Sequence, residues 1–301
     1  MWLINTITSL LLLILPILVN VAFVTLLERK ILGLSQLRLG PNKVRFGGLL
    51  QPFTDAIKLF AKQSESNINS NSYLFNRSPI AMFVLAVILW LIINPTGNSL
   101  WNLPFLIFII VLGLGVYPLL LRGWASNSKY AMIGAIRGVA QTISYEISLA
   151  LFIIRLIMLN SSFGFIDFLR FQVWLICPWM IFLWLIMAVA ETNRTPFDFA
   201  EGESELVSGF NIEYGSVGFV LIFLREYAII LIFSSLSTSV LASLNFFTLT
   251  GAAIAVLVSC IWIIFRRTFP RYRYDLLIST AWKSLLPETL GILTFVCIII
   301  I

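Results

Sequence analysis

Six carboxylates stand between Glu191 and Glu213, within the stretch Ala190–Tyr214 (AETNRTPFDFAEGESELVSGFNIEY), and Arg194 is the one cation among them. Glu191, Asp198, Glu201, Glu203, Glu205 and Glu213 make up nearly half of the 14 acidic residues in the chain. Long apolar runs flank the block on both sides. Ionisable groups close to hydrocarbon are costly and usually handle ions or protons. Repulsion and desolvation both raise the pKa of a carboxylate, so a partly hydrated acidic block titrates as a coupled set. The chemistry on offer is proton storage and transfer at a membrane surface. A solvated linker is the plain alternative. Leu206, Val207, Phe210 and Ile212, interleaved with the acids, count against it.

Two more carboxylates, Glu146 and Glu226, fall inside apolar runs. Intramembrane carboxylates are functional by default, although Glu146 also reads as a structural residue hydrogen-bonded inside a bundle. Tyr145 precedes it. Arg137 lies nine positions earlier, about 13 Å along a helix, so its partner must come from another segment. Arg225 stands beside Glu226, and whether the two pair is open. The chain has no His, and its three cysteines, Cys177, Cys260 and Cys297, lie far apart in apolar runs. No zinc, haem or iron–sulfur site is expected from this chain alone.

These groups need elements to hold them. Of 301 residues, 59% are hydrophobic and 11% charged, against about 25% charged in a soluble domain. The expectation is an all-α polytopic membrane protein, one transmembrane helical domain over 1–301. A span needs about 20 mostly apolar residues. Eight candidates appear, at about 3–27, 78–97, 101–121, 131–157, 173–190, 216–237, 247–265 and 285–301. The fourth is interrupted by Arg137, Gln141 and Glu146. The first has no basic leader or small-residue cleavage site and reads as a retained span.

Lys and Arg set the orientation. They crowd the connections at about 28–77, 122–130, 191–215 and 266–284, while the alternate connections hold only Arg170, with Arg155 nearby. The basic connections therefore go to the inner face and both termini to the outer face. The net charge of +6 belongs to these loops and is no nucleic-acid signal. Within the first loop, Leu49, Phe53, Ile57 and Phe60 share one helical face and Gln51, Asp55, Lys58 and Lys62 the other. An amphipathic helix in the interface, or one packed on a partner protein, fits that pattern. Trp101, Trp124 and Trp282 near span ends read as interfacial anchors.

Four inner-face segments then carry a resemblance. They are Leu27–Lys62 (with LERK and GPNKV), Ser126–Leu149 (with QTISYE), the acidic stretch, and Phe269–Pro287 (with PRYRYD). Together, in order, they resemble the chain-1 family of membrane subunits of proton-pumping NADH:ubiquinone oxidoreductase, respiratory complex I. The resemblance covers almost the whole chain. It implies a core subunit of the mitochondrial inner membrane that forms the ubiquinone chamber with the hydrophilic arm. It also implies coupling of quinone reduction to proton translocation through carboxylates. Ubiquinone is then the substrate, with FMN and iron–sulfur clusters in partner subunits. The partners are those hydrophilic quinone-module subunits, other complex I membrane subunits and membrane lipids.

Carried over motif by motif, the resemblance implies that Arg29, Arg38, Asp55 and Lys58 line or approach the chamber, with Phe53 and Phe210 beside them. Arg137, Tyr145 and Glu146 match a polar cluster in the fourth span. Glu191, Asp198, Glu201, Glu203, Glu205, Glu213 and Glu226 match the acidic path. Arg271, Arg273 and Asp275 match the charged loop before the last span. Two other readings stay in play: a cation or proton transporter, which should carry an inverted repeat, and a membrane anchor of a related hydrogenase-type complex.

Overall fold

The computed structural model describes residues 2–63, 70–93, 103–164, 179–198, 213–242, 244–245 and 248–300. Among them every regular element is helical. In chain order these are α1 (Trp2–Ser35), a 3-10 turn (Phe46–Gly48), α2 (Gln51–Phe60), α3 (Ser72–Ile92), α4 (Pro104–Leu114), α5 (Val116–Ala125) and α6 (Lys129–Asn160). They continue as α7 (Trp179–Glu191), α8 (Ser216–Ala242), α9 (Leu249–Thr268), α10 (Tyr274–Thr280), a π-helical turn (Ala281–Leu285) and α11 (Leu286–Ile300). Six helical stretches among the described residues are long and apolar enough to cross a membrane: Ser72–Ile92, Pro104–Ala125, Lys129–Asn160, Ser216–Val240, Leu249–Thr268 and Tyr274–Ile298. α7 is apolar but shorter at 13 residues.

The polar residues of α6 do not interrupt it. Thr142, Ser144 and Ser148 donate their hydroxyls back to the carbonyls of Gly138, Ala140 and Tyr145, which satisfies them inside a helix where water is absent. Gln141 is fully buried, and its Nε2 donates to the carbonyls of Ala190 at 2.9 Å and Phe197 at 2.8 Å. It therefore holds the end of α7 and the turn beyond it.

The third expected span differs from one continuous helix: it breaks at Gly115 into α4 and α5. Pro118 has no N–H for the carbonyl of Leu114, and its ring crowds that carbonyl. α5 then lies close against α6, because a Cβ on Gly123 would collide with Ala135. Small residues at such crossings let backbones approach where lipid supplies no hydrophobic drive. The last span also begins earlier than 285. Pro287 lacks the N–H that Lys283 would receive, and the ladder upstream re-registers so that Leu286 N–H reaches Ala281.

α8 lies at the centre, packed on α1, α2, α3 and α9, while α6 packs on α4, α5, α7 and α11. Aromatic rings tie the two groups together: Phe152 (α6) to Trp184 (α7) at 5.4 Å, Trp184 to Phe233 (α8) at 5.8 Å, and Phe108 (α4) to Phe233 at 6.3 Å. The segments after α1, α5, α7 and α9 meet at one end of the bundle. Asn71 N–H donates to Ala125 O, Thr195 Oγ1 to Arg266 O, and Tyr272 N–H to Pro196 O. These bonds join the first basic connection to the second and the third to the fourth.

Candidate functional site

The helical period over 49–62 is realised as α2, with Pro52 in its first turn. Its start is fixed to the end of α1 by charge and by stacking. Arg29 Nη1 donates to Asp55 Oδ2 at 2.5 Å, and Gln51 Nε2 to Asp55 Oδ1 at 2.8 Å. Phe53 meets Phe23 of α1 edge-on at 6.1 Å. The apolar face made by Leu49, Phe53, Ile57 and Phe60 stays exposed, so α2 offers hydrocarbon to whatever lies outside the chain. Lys58 and Arg38 are exposed as well. The loop carrying Arg38 folds tightly onto α1: Arg38 N–H donates to Gly33 O, and a Cβ on Gly40 would meet Lys30 Cα at 2.9 Å. A recess of about 480 Å³ opens between α1, α8 and α9, lined by Asn20, Phe23, Leu27, Leu231, Ser234 and Ser259 among others.

One turn inward lies a buried ionic cluster. Glu28, 5% exposed, is its anion. Arg266 at the end of α9 donates to Glu28 Oε1, and the Tyr227 hydroxyl of α8 donates to Oε2. Arg194, from the acidic segment, lies 3.8 Å from Glu28 and 3.9 Å from Glu226, with its guanidinium 4.8 Å from the Tyr227 ring centre. Glu28, Arg194, Tyr227, Trp262 and Arg266 surround a cavity of about 20 Å³, room for about one water. Two carboxylates and two guanidiniums thus share one site, where a charge change on any member is felt by the rest.

A second ionic group lies deeper. Glu191 is buried, and its charged neighbours are Arg225 of α8 and Glu146 of α6. The break in the third span serves this group. Glu146 packs where a Gly113 side chain would be, and a Cβ on Gly115 would sit 3.7 Å from Arg225 Nη2. Glu226 and Arg225, adjacent in sequence, therefore face different partners: Arg194 for the first and Glu191 for the second.

The remaining predicted residues distribute as follows. Arg137 finds its partner on another segment, its guanidinium 5.9 Å from the Tyr274 ring centre. Tyr145 is buried and packs on Phe197 at 5.8 Å, and Phe197 on Tyr272 at 5.7 Å. Asp198 follows Phe197 and is half-buried, as is Glu213. Tyr214 beside it stacks on Phe75 at 4.1 Å and shares its hydroxyl with Ser78 at 3.1 Å. Burial raises its phenol pKa, against the lowering effects of the Ser78 hydrogen bond and of Arg122. Arg271 is half-buried. Arg273 and Asp275 pair at 3.1 Å on the surface. Glu201, Glu203, Glu205 and Phe210 lie outside the described residues.

The sequence reading did not assign Glu28, Tyr227 or Arg266 to the site. Glu28 stands in the LERK segment at the end of the first span. The available signal was a carboxylate abutting an apolar run in a chain with so few acids.

Comparison with known proteins converges on one family. A family model described as NADH dehydrogenase matches residues 8–297. NADH-ubiquinone oxidoreductase chain 1 of Anopheles gambiae is 48% identical over 291 residues, covering 95% of this chain and 92% of that protein. The protein of the same name from Locusta migratoria is 46% identical over 292 residues, with 95% and 92% covered. That from Zaedyus pichiy is 46% identical over 302 residues, with 94% and 93% covered.

Proposed function

The chain belongs to the NADH dehydrogenase family, and from that membership we infer that it is a core membrane subunit of NADH-ubiquinone oxidoreductase in the mitochondrial inner membrane. It crosses the membrane eight times, counting α1 and the span that ends in α7. Both termini lie on the outer face, and the end carrying the basic connections faces the hydrophilic arm.

Ubiquinone, on this reading, enters from the lipid between α1, α2 and α8. The supporting observation is that α2 is anchored to α1 by Arg29–Asp55 and packs on α8, with its apolar face outward. A long isoprenoid tail needs such an apolar sill, and the headgroup needs polar groups beyond it. Phe53 and Phe60 supply the sill; Arg38 and Lys58 flank it. Electrons arrive from an iron–sulfur cluster in a partner subunit, and reduction of the quinone to quinol takes up two electrons and two protons.

The quinol is neutral, so the change of charge falls on the groups that give up the two protons, beside the Glu28–Arg194–Arg266–Tyr227 cluster. Arg194 belongs both to the cluster and to the acidic segment, so it transmits the change towards Glu226 and Glu191. Buried Glu191 has Arg225 and the half-buried Glu146 as its charged neighbours, and Glu146 is the last carboxylate of the route. Asp198, Glu201, Glu203, Glu205 and Glu213 extend the acceptor set along the segment, Phe210 belongs with the quinone chamber, and Arg137, Tyr145, Arg271, Arg273 and Asp275 set the field around the acids.

Kinetics with quinones of different tail length test this reading. Phe53→Asp or Phe60→Asp is expected to raise KM for long-tailed quinones severalfold and to spare short-tailed ones. Unchanged KM for both in a fully assembled complex would move the entrance elsewhere.

A further inference from the structure

A second large recess lies away from that entrance, between α7, α9 and the α10–α11 region. Its volume is about 490 Å³, within the range of small-molecule sites. Its floor is hydrocarbon from Phe182, Leu185 and Ile186 of α7, Phe265 of α9, and Leu285. Phe182 and Val189, both lining it, are seven residues apart on α7, so the recess runs about 10 Å along the helix. Phe182, Ile186 and Phe269 remain exposed, so its side is open and apolar.

The rim differs in chemistry from the floor. Tyr272, Thr280 and Ser284 line it at the end where the basic connections meet. Residues 269–284 carry Arg271, Arg273 and Lys283 against Asp275 alone, three cations less one anion, a net +2. Asp275 is already held by Arg273. Lys283 is exposed and immediately precedes Ser284 on the π-helical turn, a helical irregularity that frequently marks functional sites. Trp282 beside it is half-exposed, with its indole N–H on Ser144 Oγ at 3.3 Å, which suits a residue at headgroup level.

We propose that this recess holds an acyl chain of an anionic phospholipid from the adjoining leaflet, with the phosphate at the rim of Tyr272, Thr280 and Ser284 and the exposed Lys283 next to Ser284 in sequence as its nearest added cation. Each methylene buried in such a slot contributes only what close packing adds over bulk lipid, so selectivity must come from the head. Basic pockets between spanning helices select anionic heads for that reason. A partner helix, about 10–12 Å across with its side chains, would lie over the recess without filling it.

The test uses the intact complex in native membranes. Phosphatidylglycerol carrying a diazirine in one acyl chain is photolysed and labelled peptides are mapped, with the equivalent phosphatidylcholine as control. Label from phosphatidylglycerol on 182–189 and 265–285, several times stronger than from phosphatidylcholine, is the expected result. Lys283→Gln should remove most of that preference without altering labelling elsewhere on the complex. Equal labelling by the two lipids, or absence of label from these peptides, overturns the proposal. A photoreactive amino acid at Ile186 provides a second reading: crosslinks to lipid support the site, and crosslinks to a protein subunit assign the recess to a partner helix and overturn it.

Discussion

The carboxylate of Glu146 fills the space left by the missing side chain of Gly113: a Cβ built on that glycine would collide with Glu146 Oε1. The two residues come from α4 and α6, so the break at Gly115 and the placement of an intramembrane acid are one feature of the fold. Gly113→Ala is therefore expected to displace Glu146. Overpacking costs about 1–3 kcal/mol, and the gain from alanine over glycine in a helix offsets about 0.5–1 kcal/mol of it. The complex should still assemble and oxidise NADH with an artificial acceptor, while its proton-to-electron ratio falls. A variant with full pumping would detach Glu146 from the coupling route.

Glu28 and Arg194 each face two opposite charges: Arg194 and Arg266 for the first, Glu28 and Glu226 for the second. Glu28→Gln leaves Arg266 and Arg194 facing each other without their shared anion. Arg194→Gln leaves Glu28 with Arg266 but takes from Glu226 a cation 3.9 Å away. Removing one partner of a buried ion pair typically costs about 3–5 kcal/mol. Both variants should lower the yield of assembled complex and its melting temperature, whereas replacing the surface residue Arg273 should change stability by about 1 kcal/mol or less. Native gel electrophoresis and thermal scans decide it, and equal yields for all three variants would contradict a buried ionic cluster.

Sidedness has its own check. Single cysteines at Asn98 and at Gly202, probed with an impermeant thiol reagent from one side of the inner membrane, should label from opposite sides. Labelling of both from the same side would remove the eight-span topology.

The acidic segment is tested by removing charge without bulk. Glu201→Gln together with Glu203→Gln is expected to depress quinone-linked proton pumping and to leave NADH oxidation by an artificial acceptor intact, because that acceptor takes electrons upstream of this chain. A double variant that assembles and pumps at the full ratio would reduce the segment to a structural linker.

Much of this arrangement was legible in the sequence. Period alone located α2, because Leu49, Phe53, Ile57 and Phe60 repeat on one helical face, and Lys and Arg counts grouped the four basic connections. Arg137 lies with its guanidinium 5.9 Å from the Tyr274 ring centre, a contact across segments that no local spacing announces. Pairings across the chain carry no such period. Glu28 meets Tyr227 and Arg266 across separations of 199 and 238 residues, so no local pattern announces the cluster. The opposite allegiances of Arg225 and Glu226 follow from the turn of about 100° between helix neighbours, given by 3.6 residues per turn, but which helices stand on each side is a tertiary fact. Gly113 and Gly115 read only as residues of an apolar span. Their meaning appears once Glu146 and Arg225 lie against them.

The most direct measurement is a cryo-electron microscopy map of the assembled complex with a long-tailed ubiquinone or a competing inhibitor bound. The account predicts continuous density that passes between α1, α2 and α8, with its tail over Phe53 and Phe60 and its head beyond the Arg29–Asp55 pair, towards the Glu28 cluster. Density that reaches the hydrophilic arm by another route, leaving α2 and the Glu28–Arg194–Arg266–Tyr227 cluster remote from the ligand, would contradict it.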